Sequence, residues 1–491
     1  MPVNTPRKDY TKALKQWLRG RDCAAGGDAV KERGELYLPK LDSHVKKPLG
    51  YENYKKRALF YNATGRTIEG LSGVIFQKPM AVEVPDKEIE EHLKDLTLSQ
   101  VDINMFGVSV AQDILTVGRG GILLDMATSP DPANRPYWQI YRAEQIINWR
   151  CEKQQGDETL TMVVLKEDIE EVDPKDKFVT KVMEQYRVLE IEEGLYVQRL
   201  FRKKLDAGGN AAGDFIQYGP EVFPIRRGQR LGFIPFQFIN SMSVSPEIEK
   251  MPLLDMIDVN LSHYRTSADL EHGRHFCALP TPWVSGIVDS NSGPLGIGSG
   301  EAWVLDVNGK AGMLEFTGQG LGALEKADEE KRKMMATLGA RLLEQQSTAP
   351  ETATAVNMRH AGEHATVKTI ANAISVAFTN VLKWHIWWFG KQAAPSDVKA
   401  SIELNKDYFA AKLDSATLQA LIAALQAETI SYKTFYSALV KSEIARPGID
   451  SDAERKEIEE QGQIGPELED EPSDTKKPSG PGRKEGSSKS S

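Results

Sequence analysis

The sequence predicts an α+β protein. Helix-period apolar stripes fill the chain before Val117 and after Met251, while short strand-like runs separated by Gly, Asp and Pro turns fill the stretch from Trp138 to Asn240. A third observation is a segment from Met251 to Phe389 that reads as helix, glycine-rich β insert, helix, short polar loop and one very long helix. No residue set along that segment looks built for chemistry, which points to an assembly protein rather than an enzyme.

The elements follow in order. Asp9 to Leu18 and Glu52 to Phe76 have helical spacing, the second carrying Tyr54, Ala58, Tyr61, Ile68, Leu71 and Ile75 until Lys78-Pro79 ends it. Leu98 to Val117 is a further helix, closed by Gly118 to Gly121 and followed by the apolar strand Ile122 to Met126. Strands are expected at Trp138 to Tyr141, Ile146 to Arg150, Thr159 to Leu165, Val182 to Ile191, Leu195 to Arg202 and Phe233 to Ile239, forming an antiparallel sheet. Pro252 opens a helix whose stripe is Leu253, Ile257, Leu261, Tyr264 and Ala268, and a second stripe runs Leu321, Leu324, Met334, Leu338, Leu342. Beyond the loop Gln346 to Thr354, Val356, His360, Glu363, Val367, Ile370, Ile374, Ala377, Val381, Trp384 and Trp388 make a heptad-like seam, polar first and greasy later. Past Pro395 come a strand at Val398 to Leu404 and helices at Ser415 to Leu425 and Tyr432 to Lys441. From Gly462 to Ser491 the chain is Pro, Gly, Ser, Lys and Glu, too polar to offset its ordering entropy, so disorder is expected there.

Composition narrows the function classes. The 491 residues suit about three or four domains. Cys23, Cys151 and Cys277 are isolated and odd in number, which leaves no disulfide framework and makes a reducing cytoplasm the expected setting. The N-terminal 21 residues carry cations at Arg7, Lys8, Lys12, Lys15 and Arg19 but no apolar run, unlike a secretory signal. The greasiest stretch, Ile370 to Phe389, is interrupted by Asn372, Asn380, Lys383 and His385, so it is expected in a protein core and not in a membrane. A net charge of −9 argues against a sequence-reading DNA binder, though less against a protein that DNA merely passes through. The basic run Lys331, Arg332, Lys333 sits among Asp328, Glu329 and Glu330 and reads as a solvated helix face.

Four motifs invite chemistry. His360-Ala361-Gly362-Glu363-His364 fits the H-x-x-E-H pattern, in which two histidines one helical turn apart hold zinc and the glutamate acts as base. No downstream glutamate is marked as third ligand, and the seam explains the spacing without metal. Gly318 to Ala323 fits G-x-G-x-x-A, but no second strand with an acidic residue follows, so it reads as a hinge. Gly118 to Gly121 follows a helix instead of preceding one, the wrong order for a phosphate loop and the right one for a helix cap. The cluster Trp384, Trp387, Trp388 and Phe389 has the spacing of core rather than of a base-stacking platform. Catalytic, cofactor and metal residues are therefore all expected to be absent.

Several blocks resemble tailed-bacteriophage portal proteins. They are Tyr51 to Ala58 (YENYKKRA), Tyr61 to Thr64, Leu71 to Pro79 (LSGVIFQKP), Gly118 to Asp125 (GRGGILLD), Gln145 to Arg150, Ile234 to Phe236, Pro252 to Asp255 with Asn260 to Arg265, Leu279 to Val284 with Gly286, and Leu338 to Leu343, all in the family's order. The resemblance covers about Asp9 to Lys441.

That resemblance implies a head-to-tail connector. The expected plan is a wing over 1–250, stem helices over 251–276 and 321–345, a clip over 277–320, a tunnel loop over 346–354, a long helix over 355–391, a crown over 396–461 and a tail over 462–491. It further implies a homo-oligomeric ring, usually dodecameric, at the capsid vertex of a virion assembled in the host cytoplasm. Its partners would be the terminase large subunit, a head-completion or adaptor protein, and the major capsid and scaffold proteins. Double-stranded DNA would be packaged, and later ejected, through its channel. The tunnel-loop residues Gln346, Ser347, Thr348, Ala349, Pro350, Glu351, Thr352 and Thr354 offer hydroxyls and a carboxylate but no cation, which suits low-friction passage of DNA. Lys331, Arg332 and Lys333 would form a charged stem face. Two other readings stay open: a zinc-dependent protease built on His360 to His364, and a scaffold or capsid subunit.

Overall fold

The computed structural model describes residues 2–41, 48–126, 135–154, 157–173, 176–205, 211–279, 281–287, 296, 303, 305–314, 318–339, 353–405, 415–427, 429–442, 444–446 and 449–462. The chain divides into two units, Met1–Tyr408 and Phe409–Ser491.

The first unit opens with α1 (Lys8–Ala25), α2 (Gly27–Glu32), α3 (Pro48–Arg57) and α4 (Ala63–Ile75). On α1 the buried positions Tyr10, Ala13, Trp17 and Gly20 recur every three or four residues. The single helix expected from Glu52 to Phe76 is instead two. The Asn62 carboxamide accepts a hydrogen bond from the Gly65 amide at 2.9 Å, which caps a new helix and interrupts the old one. After β1 (Ala81–Glu83) and α5 (Lys87–Leu93), α6 (Ile103–Val117) starts later than its apolar pattern suggested. Leu98 and Gln100 have left-handed backbones at φ 60° and 63°, and Asp102 caps the helix through the amides of Asn104 and Met105. Gly118 ends α6 at φ 76°, a conformation that favours glycine.

Two antiparallel sheets follow. β2 (Arg119–Met126) lies between β3 (Pro136–Arg142) and, much later in sequence, β11 (Phe236–Asn240), with Phe238 opposite Gly121. A Cβ at Gly121 would collide with the Phe236 ring, so the strand beginning at Arg119 needs glycine there. The second sheet is a meander of β4 (Ile146–Gln154), β5 (Asp157–Asp173), β6 (Asp176–Glu192), β7 (Leu195–Leu205) and β8 (Ala211–Gln217). The short β9 (Ile225–Arg226) and β10 (Gln229–Arg230) pair with each other. β8 escapes sequence analysis because Ala-Ala-Gly-Asp has no strand signature.

Beyond the sheets come α7 (Leu254–Ala278), β12 (Thr281–Ile287), β13 (Leu305–Leu314), α8 (Leu321–Leu338), the 37-residue α9 (Ala353–Phe389) and β14 (Ser401–Glu403). The greasy half of α9 runs through the core, where Val367, Ile370, Ile374, Ala377, Val381 and Trp388 are buried as the seam predicts. Phe378 meets Phe106 and Trp138 at ring-centroid distances of 5.8 and 5.6 Å, and Phe106 meets Trp138 at 5.8 Å. β14 pairs with β1, Ile402 opposite Val82, so this strand belongs to the first unit and not to the crown expected from residue 396. The second unit contains α10 (Ser415–Gln426), α11 (Tyr432–Lys441), capped by Ser431, and α12 (Ser451–Gly462). α12 was not anticipated from its acidic sequence, and it carries an Arg455–Glu459 pair one turn apart at 3.4 Å. The tail beyond it lies outside the described residues.

Candidate functional site

α7 and α8 pack antiparallel, and the β12–β13 hairpin continues from their ends. Arg274 reaches Glu325 at 2.8 Å near one end, and Gly339 lies against Met256 near the other. Gly273 lets the helices approach, since a Cβ there would sit 2.6 Å from Leu321 Cδ2. The hairpin pairs Thr281 with Leu314 and Val284 with Ala311. Gly286 supplies a bulge at φ 77°, and Gly312 lies under the Trp283 ring.

The α7 stripe of Leu253, Ile257, Leu261, Tyr264 and Ala268 is buried as predicted. The α8 stripe is not the predicted one. Met334 is 52% exposed and Leu338 is also exposed, whereas Met335 is 1% exposed and Asp328 is buried. The face turned toward α7 runs Leu321, Leu324, Asp328, Lys331, Met335, one residue off the apolar count past Leu324. Leu342 lies outside the described residues.

Polar groups explain the shift. His263 Nε2 is 2.9 Å from Asp328 Oδ1, and Arg332 binds the other carboxylate oxygen at 2.5 Å. Arg332 Nε also lies 3.3 Å from His263 Nε2. A ring nitrogen and a carboxylate oxygen at 2.9 Å require a proton between them, so we assign Nε2–H donating to Asp328, with Arg332 serving the second oxygen. Burial holds the His263 pKa below its ordinary value, which Asp328 only partly offsets. Lys331 Nζ donates to the Ser262 carbonyl at 3.2 Å and to Thr266 Oγ1. Of the three expected surface cations, Lys331 is thus half-buried and ties the helices together, while exposed Arg332 and Lys333 pair with Asp328 and Glu329 one turn away. In the sequence Asp328 is one acid beside a basic run, and its partner on α7 lies 65 positions upstream, so no local signal marks the pair.

The expected tunnel loop falls largely outside the described residues. Ala353 and Thr354 form the first positions of α9, so the loop ends two residues earlier than the sequence suggested. His360, Glu363 and His364 lie on helical backbone, and their side chains are outside the described residues. Among the described residues no group of three or more His, Cys, Asp or Glu side chains is arranged to hold a metal. No helix among them is long and apolar enough to cross a membrane. The tryptophan cluster is structural: Trp388 Nε1 donates to the Ile225 carbonyl at 3.1 Å, and Arg226 lies 4.3 Å over Trp387 while donating to its carbonyl. Gly318, at φ 66°, makes the turn into α8 that its motif suggested.

Comparison with known proteins gives a partial match. Residues 252–389, the span from α7 to the end of α9, match a family described as a domain of unknown function, DUF4055, over well under half of the chain. No curated protein matches. Among solved structures, the virion of a native gene transfer agent (GTA) particle is similar at 10% identity and TM-score 0.36, over 75% of this chain and 86% of that one. The neck of an empty GTA particle computed with C6 symmetry is similar at 12% identity and TM-score 0.39, over 76% and 89%. The neck of a native GTA particle computed with C12 symmetry gives 12% and 0.38, over 77% and 89%. Likenesses of this size establish neither a shared fold nor a shared function.

Proposed function

We propose that this protein is a bacteriophage portal protein: a ring-forming subunit at the capsid vertex whose channel passes double-stranded DNA during packaging and ejection. The observation that carries this reading is the order of elements in the segment that bears the portal-like blocks. An antiparallel helix pair ends in a glycine-dependent hairpin and is followed by a long helix seated in the core. In this reading α7 and α8 are the stem, residues 277–320 the clip, residues 346–352 the tunnel loop and α9 the helix behind it. The exposed apolar side chains Phe276, Leu279, Trp283, Met313, Met334 and Leu338 gather on the helix pair and hairpin. A lone chain gains nothing by showing such a row to water, whereas a closed ring buries it in a repeated heterologous contact.

The protein then acts as a connector and not an enzyme. Its terminase, adaptor, capsid and scaffold contacts, and its usual dodecameric count, follow from the same reading. Negative-stain electron microscopy of the purified chain tests it. Rings with an axial hole are expected, and closed shells or discrete monomers across the accessible concentration range would overturn it. The zinc-protease alternative predicts stoichiometric zinc that is lost in His360→Ala, and the absence of zinc from protein purified with that metal present would remove it.

A further inference from the structure

α8 carries two faces that compete for α7. The face it turns there is Leu321, Leu324, Asp328, Lys331 and Met335. The other is Leu321, Leu324, Ala327, Met334 and Leu338, which has no charged member. Successive residues of an α-helix are about 100° apart, so rotating α8 by somewhat less than that about its own axis exchanges one face for the other. Leu321 and Leu324 serve both, and Lys331 lies on the border between them. The choice therefore sets Asp328 and Met335 against Ala327, Met334 and Leu338.

On apolar burial alone the second face wins. Met334 and Leu338 are about half exposed, and rotation would bury both while uncovering Met335. The observed state instead buries a carboxylate, and a buried ion pair returns little net stability because both partners lose their water. What it returns is a single arrangement. The side chains of His263 and Asp328 are only 1% and 6% exposed, and Nε2 of the ring stands 2.9 Å from Oδ1 of the carboxylate. Arg332, one turn further along α8, takes the other oxygen. The α7 residues beside His263 are polar as well: the Ser262 carbonyl and the Thr266 hydroxyl both accept from Lys331. Rotation would take the carboxylate away and leave His263 facing apolar side chains, and a buried polar group stripped of its partner is costly. One polar position in an otherwise apolar helix seam is a known way to fix alignment at a cost in stability.

We propose that His263 and Asp328 form a rotational lock, which holds α8 in the orientation that buries Met335 and keeps Met334 and Leu338 outward. The lock stands on the helix pair alone. Its use rests on the ring reading above: an apolar stripe kept off α7 stays available to a neighbouring subunit.

Thiol labelling reads the orientation. Cys151→Ser and Cys277→Ser clear the partly exposed native thiols, and buried Cys23 stays. Met334→Cys and Met335→Cys are introduced one at a time in the full chain and labelled with a thiol-reactive reagent, at a dilution that light scattering shows to be monomeric. Position 334 should react at least about tenfold faster than position 335. His263→Leu with Asp328→Leu removes the lock without leaving a lone buried charge, so the ratio should fall to about one or invert while the urea midpoint stays level or rises. Adding Leu338→Lys to that pair handicaps the competing face and should restore the parent ratio. Asp328→Asn keeps the shape of the side chain and perturbs folding least; it should lower the ratio at least about threefold. A ratio unchanged by the leucine pair or by Asp328→Asn would overturn the lock, as would a leucine pair whose urea midpoint falls sharply or a Leu338→Lys addition that restores nothing. Ring assembly is scored separately. A leucine pair that inverts the ratio yet still forms rings would overturn the use of the outer stripe and leave the lock standing, and a parent chain that forms no rings would overturn the ring reading alone.

Discussion

α9 and α8 are both helices with apolar stripes, yet they live in opposite surroundings. From Val367 to Trp388, α9 is enclosed by β2, β3, β11, β14 and α6, and its seam of apolar residues is the seam the fold buries. Among the described residues α8 packs chiefly against α7, and the stripe it turns there has a carboxylate at Asp328 and a lysine at Lys331. Its most apolar outer positions, Met334 and Leu338, remain about half exposed. Apolar periodicity adds up every partner a helix will have. Where all partners lie in the same chain, the sum equals the buried face. Where one lies elsewhere, the count mixes two faces and lands on neither.

The largest effect should come from the enclosed region. Trp138 is fully buried, edge-on to both Phe106 and Phe378, and its Nε1 donates to His385 Nδ1 at 3.3 Å. Trp138→Ala should cost about 3–5 kcal/mol in urea unfolding of the isolated chain. A cost below about 1 kcal/mol would mean that this core is far looser than its ring geometry indicates.

Next in size is the inner face of α8. Met335→Ala should cost about 2–5 kcal/mol, because the side chain is fully buried on the face turned toward α7. Equal effects from Met334→Ala and Met335→Ala would place the helix in the register read from the apolar count and undo the one-residue shift.

These contrasts also mark what was legible in the sequence. The α+β class, the strand-rich middle, the α7 stripe and the greasy half of α9 follow from periodicity because local pattern and tertiary partner agree there. The break at Asn62 and the delayed start of α6 did not, because single capping side chains and two left-handed residues outvote a long apolar pattern. The His263–Asp328 pair was invisible for a different reason. Each residue alone is an ordinary polar side chain, and only the antiparallel packing of two helices brings them to 2.9 Å.

A smaller effect separates the regions by pH. His385 is buried, its pKa pushed down to about 3 by burial first and then by neighbouring His92 and Arg135. The Trp138 donor fixes its tautomer, so Nε2–H points to His92 Nδ1 at 3.0 Å. His92 is also held low by burial and by Arg135, with Glu88 opposing. The folded pKa lies below the unfolded value near 6.5, so the unfolded chain takes up the proton first. Stability is then full above about pH 6.5 and declines on acidification toward pH 3, by up to about 1.4 kcal/mol per pH unit. His385→Gln should flatten that slope in denaturant titrations between pH 6.5 and 4. An unchanged slope would show that other groups carry the acid response.

The smallest effect on the folded chain is the most informative about the comparison. Met334 is half exposed, whereas its neighbour Met335 is buried. Met334→Ser should therefore move the stability of the isolated chain by no more than about 0.5 kcal/mol. If the outer face of α8 is covered by a neighbouring subunit, the same substitution places a hydroxyl in an apolar contact and should weaken ring formation while the monomer melts normally. Loss in both measurements would mean that Met334 is covered by this chain itself. Loss in neither would mean that the outer face of α8 stays wet in the assembly, and the split between its two stripes would then need a cause other than a missing partner.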